Sequence, residues 1–360
     1  MRGAVRRRGR MPPVAGSPWR LTAGAGLALT AVLFLLPLLT VRGEGGGAAG
    51  ETENAPLTAT APEGQTTRAA RDRGHIVKLL QPDGSAARQR LLQKLTMVDY
   101  LFGVVAAEMP AAFEEEALKA QACAARTYTV VRQASAHAAH PQADVCTDSG
   151  CCQAYVERQA AETRWGISAG TYSAKISQAV ADTDGLGILY QGAPIQAVFF
   201  SSAPGQTADA VAVWGSQVDY LKSVSSPEGD EVPNYRSQVV LTAEEVRSRV
   251  LAAYPGADLS GDPSGWFGTP ASSGGAVTSI PVGGVTLTGS QVRTLFSLRS
   301  AAFTVAWDGT SFIFSVTGYG HGVGMSQYGA NTMAKEGSSF RDILTWYYTG
   351  AQVDDLWAES

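Results

Sequence analysis

The stretch MVDYLFGVVAAEMPAAFEEEALKAQACAARTYTVVRQ, residues 97–133, decides the fold. Its first part, Met97–Met109, is apolar around most of a helical circumference and stops at Pro110. A helix apolar nearly all round is a buried one, and proline is a common helix stop. Its second part, Glu114–Gln133, opens with acids that suit the positive end of a helix and continues in Ala, Leu, Lys and Gln. That composition is the strongest helix signal in the chain. From Gly187 the texture changes. ILYQGAPIQAVFFSS reads as two strands about a tight Gln191-Gly192 turn, and FTVAWDGTSFIFSV as a hairpin about Asp308-Gly309. Thr242-Ala-Glu-Glu245 and Thr288-Gly-Ser-Gln291 resemble capping boxes that open short helices. A last helix is expected near Met325, before the closing FRDILTWYYTGA. The pattern predicts an α+β fold, with helices at both ends of the body around a central mixed β region.

Outward from this body the charge divides. The 360 residues carry a formal −4, but residues 1–43 hold seven Arg and no acid. Residues 44–360 are left with 21 Lys and Arg against 32 Asp and Glu, a net −11. Such a body is a poor nucleic-acid binder, because that binding runs on phosphate neutralisation. It also should not cling to anionic wall polymers. A basic cytoplasmic segment, 1–20, precedes an uncharged run, 21–41, rich in Leu, Ala and Val. A helix of that length spans about 30 Å, enough to cross a bilayer. The arginines before it put the N-terminus in the cytoplasm, and an uncleaved anchor is preferred over a signal peptide. The organisation expected is therefore a transmembrane helix at 21–41, a flexible linker at 42–74, a folded domain at 75–352 and a tail at 353–360.

Four constellations could carry chemistry. Glu108 ends an apolar helix, where burial would raise its pKa and make it a general acid; a water-facing Glu is the plainer reading. His140, Cys146, Cys151 and Cys152 lie within thirteen residues of one another and offer the ligands tetrahedral zinc prefers. A disulfide from Cys146 to Cys151 or Cys152 is the alternative, and it would leave an odd thiol. Four protein ligands would close the metal's shell, so such a zinc would be structural. His137 could replace His140, and Cys123 reads as a core residue. Gly318–Ala330, GYGHGVGMSQYGA, holds His321 in a glycine-rich loop that matches neither a Rossmann motif, a P-loop nor a nucleophile elbow. Finally, FFSSAPGQT, 199–207, with Val213-Trp-Gly215, offers hydroxyls and a ring of the kind that suits sugars.

These segments resemble the stage II sporulation protein D family, membrane-anchored peptidoglycan lytic transglycosylases of endospore-forming bacteria. The matching stretches are YLFGVVAAEMPAAFEEEALKAQACAARTYTV (100–130), DVCTDSGCCQAY (144–155), FFSSAPGQTADAVAVWG (199–215), YLKSVSSPEGDE (220–231) and GYGHGVGMSQYGANTMAKEG with ILTWYYTGA (318–351). The resemblance implies that Glu108 is the catalytic acid/base and that zinc can occupy the loop of His140, Cys146, Cys151 and Cys152. It implies no cofactor for the chemistry itself. Family members tend to have histidine where this chain has Cys151, and Ser-Gly-Gly where it has Ala203-Pro204-Gly205.

The implied reaction cleaves the bond between N-acetylmuramic acid and N-acetylglucosamine and leaves 1,6-anhydro ends. His321, Ser326, Gln327, Tyr328 and Ser202 are expected in the wall of the substrate groove. The implied partners are glycan strands stripped of stem peptides, a cell-wall amidase and the membrane scaffold of the engulfment machinery. The implied place is the mother-cell septal membrane of a sporulating bacterium, with the catalytic domain extracytoplasmic. A non-catalytic glycan-binding scaffold is the alternative. A secreted hydrolase using Ser326 and His321, or the Cys/His metal, is a third reading.

Overall fold

The chain enters its fold at a single helical turn, α1 (Ala70–Arg73), followed by strand β1 (Ile76–Pro82). The computed structural model describes residues 70–82, 90–135 and 138–358. The segments 1–20 and 21–41, most of 42–74, and His137 lie outside these residues. Among the described residues, no helix is long and apolar enough to cross a membrane.

Strand β2 (Arg90–Thr96) pairs antiparallel with β1, and Thr96 then caps α2 (Met97–Glu108) by accepting the Asp99 N–H at 3.2 Å. Helix α3 (Glu115–Gln133) follows and is buried along most of its length. Strand β3 (Val145–Cys146) adds in parallel to β1, so the cysteine loop is tied to this first sheet. Helices α4 (Arg158–Trp165) and α5 (Ala169–Asp182) pack beside α2 and α3. Strands β4 (Leu186–Tyr190) and β5 (Ala193–Pro194) form the expected hairpin, with Gln191 and Gly192 at φ of 53° and 78°. Short strand β6 (Phe199–Phe200) and helix α6 (Ala210–Trp214) follow.

The next part has its own hydrophobic core. It runs through β7 (Arg236–Thr242), α7 (Ala243–Ala253), β8 (Ala271–Ser273), β9 (Ala276–Val282), β10 (Val285–Thr288), α8 (Gly289–Phe296), β11 (Phe303–Trp307) and β12 (Ser311–Thr317). Both expected capping boxes are present, at Thr242 and Thr288. In β12 every second residue is buried, which turns Phe312, Phe314 and Val316 toward Phe296 and Trp266. The chain then returns to the helical core through β13 (Met325–Ser326), α9 (Gln327–Lys335), α10 (Phe340–Tyr347) and β14 (Gln352–Asp355).

The α+β class holds, with a different arrangement. Among the described residues the strands form five small sheets instead of one central region, and two strands, β1 and β2, precede the long helices. The reason is long-range pairing: β13 lies parallel to β6, and β14 returns to β4. The expected last helix is two helices. Met325–Ser326 is a strand, and Gly337 separates α9 from α10, whose own capping box is formed by Ser339 and Asp342.

The linker also ends earlier than its composition suggests. Asp72, fully buried, receives Arg126 of α3 through Nε at 2.9 and 3.0 Å and Nη2 at 2.6 Å. Arg126 Nη1 donates to Leu186 O at 2.7 Å, and Trp357 Nε1 to Asp72 Oδ1 at 3.3 Å. One buried ion pair thus joins the start of the fold, its central helix and its last residues. Removing one partner of such a pair costs about 3–5 kcal/mol. A chain beginning at His75 should therefore lose about that much stability to urea relative to one beginning at Ala61, and Asp72→Asn in the longer chain should lose most of it. Equal midpoints would remove the pair from this role.

Candidate functional site

Glu108 is the last residue of α2, because Met109 turns to extended backbone ahead of Pro110. Its carboxyl is met by two other segments. Oε1 accepts the Ala154 N–H at 2.6 Å, and Oε2 accepts from Gln327 Nε2 at 3.3 Å. Ala154 can reach it because the chain after the cysteine loop lies directly on α2. At Gly103 an added Cβ would stand 2.2 Å from the Tyr155 ring, so only glycine permits this crossing. Gln153 is buried there against the Tyr100 hydroxyl (3.1 Å) and Thr129 (3.2 Å).

Glu108 keeps a narrow exposure to solvent, while its surroundings strip most of the water from the carboxyl. Burial raises its pKa, and the Ala154 and Gln327 hydrogen bonds oppose that rise without cancelling it. No acidic neighbour contributes to the shift. Glu114 and Glu115 are exposed, and Glu116 turns to Lys119 and the Phe340 N–H.

Gln327 begins α9 and is held from behind. Its Nε2 lies 3.4 Å from Gln121 Oε1, and Gln121 Nε2 is buried with no hydrogen-bond partner among the described residues. Ser326 caps the helix by accepting the Gly329 N–H at 3.3 Å, and its hydroxyl donates to Glu228. Glu228, itself buried, also takes the Ala203 N–H and the Ser226 hydroxyl, each at 2.6 Å. A buried carboxylate satisfied by three donors therefore fixes the start of the helix that carries Gln327. Tyr328 is half-buried and meets Phe113 edge-on at 5.0 Å.

Of the groups that meet here, Glu108 and Gln327 are among the residues expected from the sequence, and Gln121, Ala154 and Glu228 are not. Gln121 left a trace, as a polar residue on the buried Ala/Leu face of α3. A backbone N–H and a Glu in a polar loop left none.

Other expected site residues serve the wall more than its surface. Gly318, Gly320, Gly322 and Gly324 all have positive φ, from 75° to 121°, and a Cβ on Gly324 would stand 2.2 Å from Val198 O. Within this loop both ring nitrogens of His321 are engaged, Nε2 with Phe199 O and Nδ1 with the Val323 N–H, each at 3.1 Å. Its ring lies between Phe200 and Trp214. Ser326 and Ser202 are buried, and Ser202 pairs through its backbone with Tyr319. The structure joins His321 to neither Ser326 nor Glu108, so no serine is activated there. Ala203 directs its N–H to Glu228 and its C=O to the Tyr235 hydroxyl, and Pro204 follows at a partly exposed bend.

The second cluster lies on the same loop as Ala154. One donor atom from each of His140, Cys146, Cys151 and Cys152 falls within 4.8 Å of every other. His140 Nδ1 is 3.2 Å from Ala143 O, which turns Nε2 to the sulfurs, 3.2 Å from Cys152 Sγ. A carbonyl behind a ligating histidine is the usual second partner of a metal site. The four donors fit a tetrahedral ion. Cys123 is a buried core residue, as expected.

Burial, then the charge of Arg293, lowers His321 to a pKa of about 4, against the pull of Phe199 O. An unfolded histidine takes a proton near 6.5 and the folded one does not, so stability should fall as pH drops from about 6.5 toward 4, by roughly 3 kcal/mol. A ring titration by NMR should show a midpoint near 4. A midpoint near 6.5 would make the ring an available acid/base after all.

The chain is similar to known proteins over most of its length. The family model of the stage II sporulation protein (SpoIID) matches residues 85–190, which hold Glu108, Ala154 and the Cys/His cluster. Stage II sporulation protein D of Bacillus subtilis (strain 168) is 40% identical over 265 residues, 73% of this chain and 76% of that protein. The protein of the same name from Bacillus amyloliquefaciens is 36% identical over the same shares. An amidase enhancer of Bacillus subtilis is 27% identical over 304 residues, 70% of this chain and 40% of that protein.

Proposed function

The chain belongs to the stage II sporulation protein D family, and on that premise we propose that it is a peptidoglycan lytic transglycosylase acting on glycan strands without stem peptides. The observation that carries the reading is a single largely buried carboxyl, Glu108, whose hydrogen-bond partners among the described residues are the Ala154 N–H and the Gln327 amide and no acid. A hydrolase normally needs a second carboxylate, to activate water or to attack directly. A transglycosylase does not, because its nucleophile belongs to the substrate. Such an internal nucleophile has an effective concentration on the order of 10⁵ M or more.

The two oxygens of Glu108 have different tasks. Oε1 is held by the short bond from Ala154, so the proton resides on Oε2. It passes to the glycosidic oxygen as the bond from that oxygen to C1 of N-acetylmuramic acid breaks. The C6 hydroxyl of the same sugar closes on C1, and its proton returns to Oε2. No water is consumed. The N–H of Gln327 steadies Oε2 while it is ionised.

Zinc is the metal we assign to His140, Cys146, Cys151 and Cys152, on the softness of three thiolates and an imidazole. When bound it would hold the loop that carries Ala154, two residues beyond Cys152, and it takes no part in the proton transfer. The biological setting that accompanies this reading is wall remodelling during sporulation. Residues 21–41 would anchor the protein in the membrane with its folded body outside. A cell-wall amidase would prepare the substrate, a partnership in keeping with a relative named amidase enhancer.

Residues 61–360 incubated with peptide-free strands should release anhydro-muramic ends detectable by mass spectrometry. Glu108→Gln should lower the rate at least 100-fold, the lower end of a general-acid effect. Free reducing ends, or unchanged activity in the variant, would overturn the reading. Gln327→Leu removes a donor to the carboxylate, so the limb on which activity falls with rising pH should move to higher pH. Chelating the metal should move it the same way by loosening Ala154. A limb unmoved by either change would detach both contacts from the acid's titration.

A further inference from the structure

Two arginines stand by the glycine loop that leads to Gln327, and neither has an acidic partner among the described residues. Arg293 lies on α8 and Arg299 just beyond it, both half-buried, in a body whose net charge is −11. Neither guanidinium takes part in an ion pair or side-chain hydrogen bond with the described residues, and Arg299 Nε is buried with no partner. Partly buried arginines are normally paired, because an uncompensated charge away from water is costly.

Arg299 is tied to that loop by two contacts. The Arg299 guanidinium stands over the Tyr319 ring at 4.1 Å, and its carbonyl accepts the Gly320 N–H at 3.0 Å. Both contacts lie in the glycine loop that ends at Gln327. The charge of Arg299 acts on Tyr328, next to Gln327, and that of Arg293 acts on His321. Tyr319 itself remains exposed, so the cation–ring pair faces solvent. A guanidinium held over an exposed aromatic ring, with no acidic partner of its own, is a preformed seat for a planar anion.

We propose that Arg293 and Arg299, with Tyr319, form a carboxylate-binding site that recognises the lactyl group of a peptide-free muramic acid. This rests on the function proposed above. In an intact strand the lactyl carboxyl is an amide bonded to the peptide and carries no charge. Removal of the peptide frees it as a carboxylate, whose two oxygens match the fork of an arginine. The acidic body repels anions in general, and these two side chains supply local attraction for this one. Preference for stripped strands then has two parts, room where the peptide was and a charge that appears only when the peptide has gone.

The test compares peptide-free strands with the same strands whose carboxyls have been converted to methylamides. Amidation should lower kcat/KM of the wild type by about 10-fold or more, the share of a charge-assisted hydrogen bond. Arg293→Gln and Arg299→Gln should show the same loss on native strands and little further loss on amidated ones. Equal cleavage of both strands by the wild type would overturn the proposal and leave the transglycosylase reading intact. If neither strand is cleaved, that reading fails. Co-sedimentation with Glu108→Gln then decides the arginine site alone, since it should retain native over amidated strands, and equal retention would overturn it.

Discussion

The site depends on one carboxyl being taken out of water at a point where three remote segments meet. Glu108 ends one helix, Ala154 follows the cysteine loop and Gln327 begins another helix, 46 and 219 residues away from Glu108 along the chain. A carboxyl placed so is costly to ionise, and its cost is set by how firmly the two donors are held. Much of the remaining architecture holds them. Sheet pairing between β1 and β3 ties down the cysteine loop, and Glu228 with Ser326 fixes the start of α9. The buried Asp72–Arg126 pair closes the helical core from which Glu108 projects.

Features governed by neighbours in sequence were legible. The two helices of 97–133, the Gln191-Gly192 and Asp308-Gly309 hairpins and both capping boxes rest on periodicity, turn chemistry and three-residue spacing, which are local rules. Strands of two residues, such as Val145–Cys146 and Met325–Ser326, carry no such pattern and exist because a distant partner pairs with them. Asp72 was hidden for another reason, since the composition around it is that of a tether. In the site, Glu108 stood out as a lone acid among apolar residues. His321 stood out as well, but its ring serves the loop, with both nitrogens turned to backbone. Chemical suitability is visible in a letter, whereas the hydrogen bonds that occupy it are not.

The two larger hydrophobic cores divide the work. The helical core carries the acid on α2 and the Gln327 amide on α9, while the Cys/His cluster packs on a small core of its own with Leu80 and Ala143. The second core, packed on Phe296, Phe312 and Phe314, presents Arg293 and Arg299 at the edge of the glycine loop. Chemistry and recognition would then come from different parts of one chain. An enzyme built so can keep its acid in a dry, fixed setting while it reads a charge on the substrate elsewhere.

In the proposed reaction the substrate's own hydroxyl, and not water, takes the place of the leaving group on C1. Cleavage of peptide-free strands in water enriched in heavy oxygen tests it most directly. The new muramic ends should lack one water and carry no heavy oxygen. Heavy oxygen at C1 of the new end would contradict it and make the protein a hydrolase.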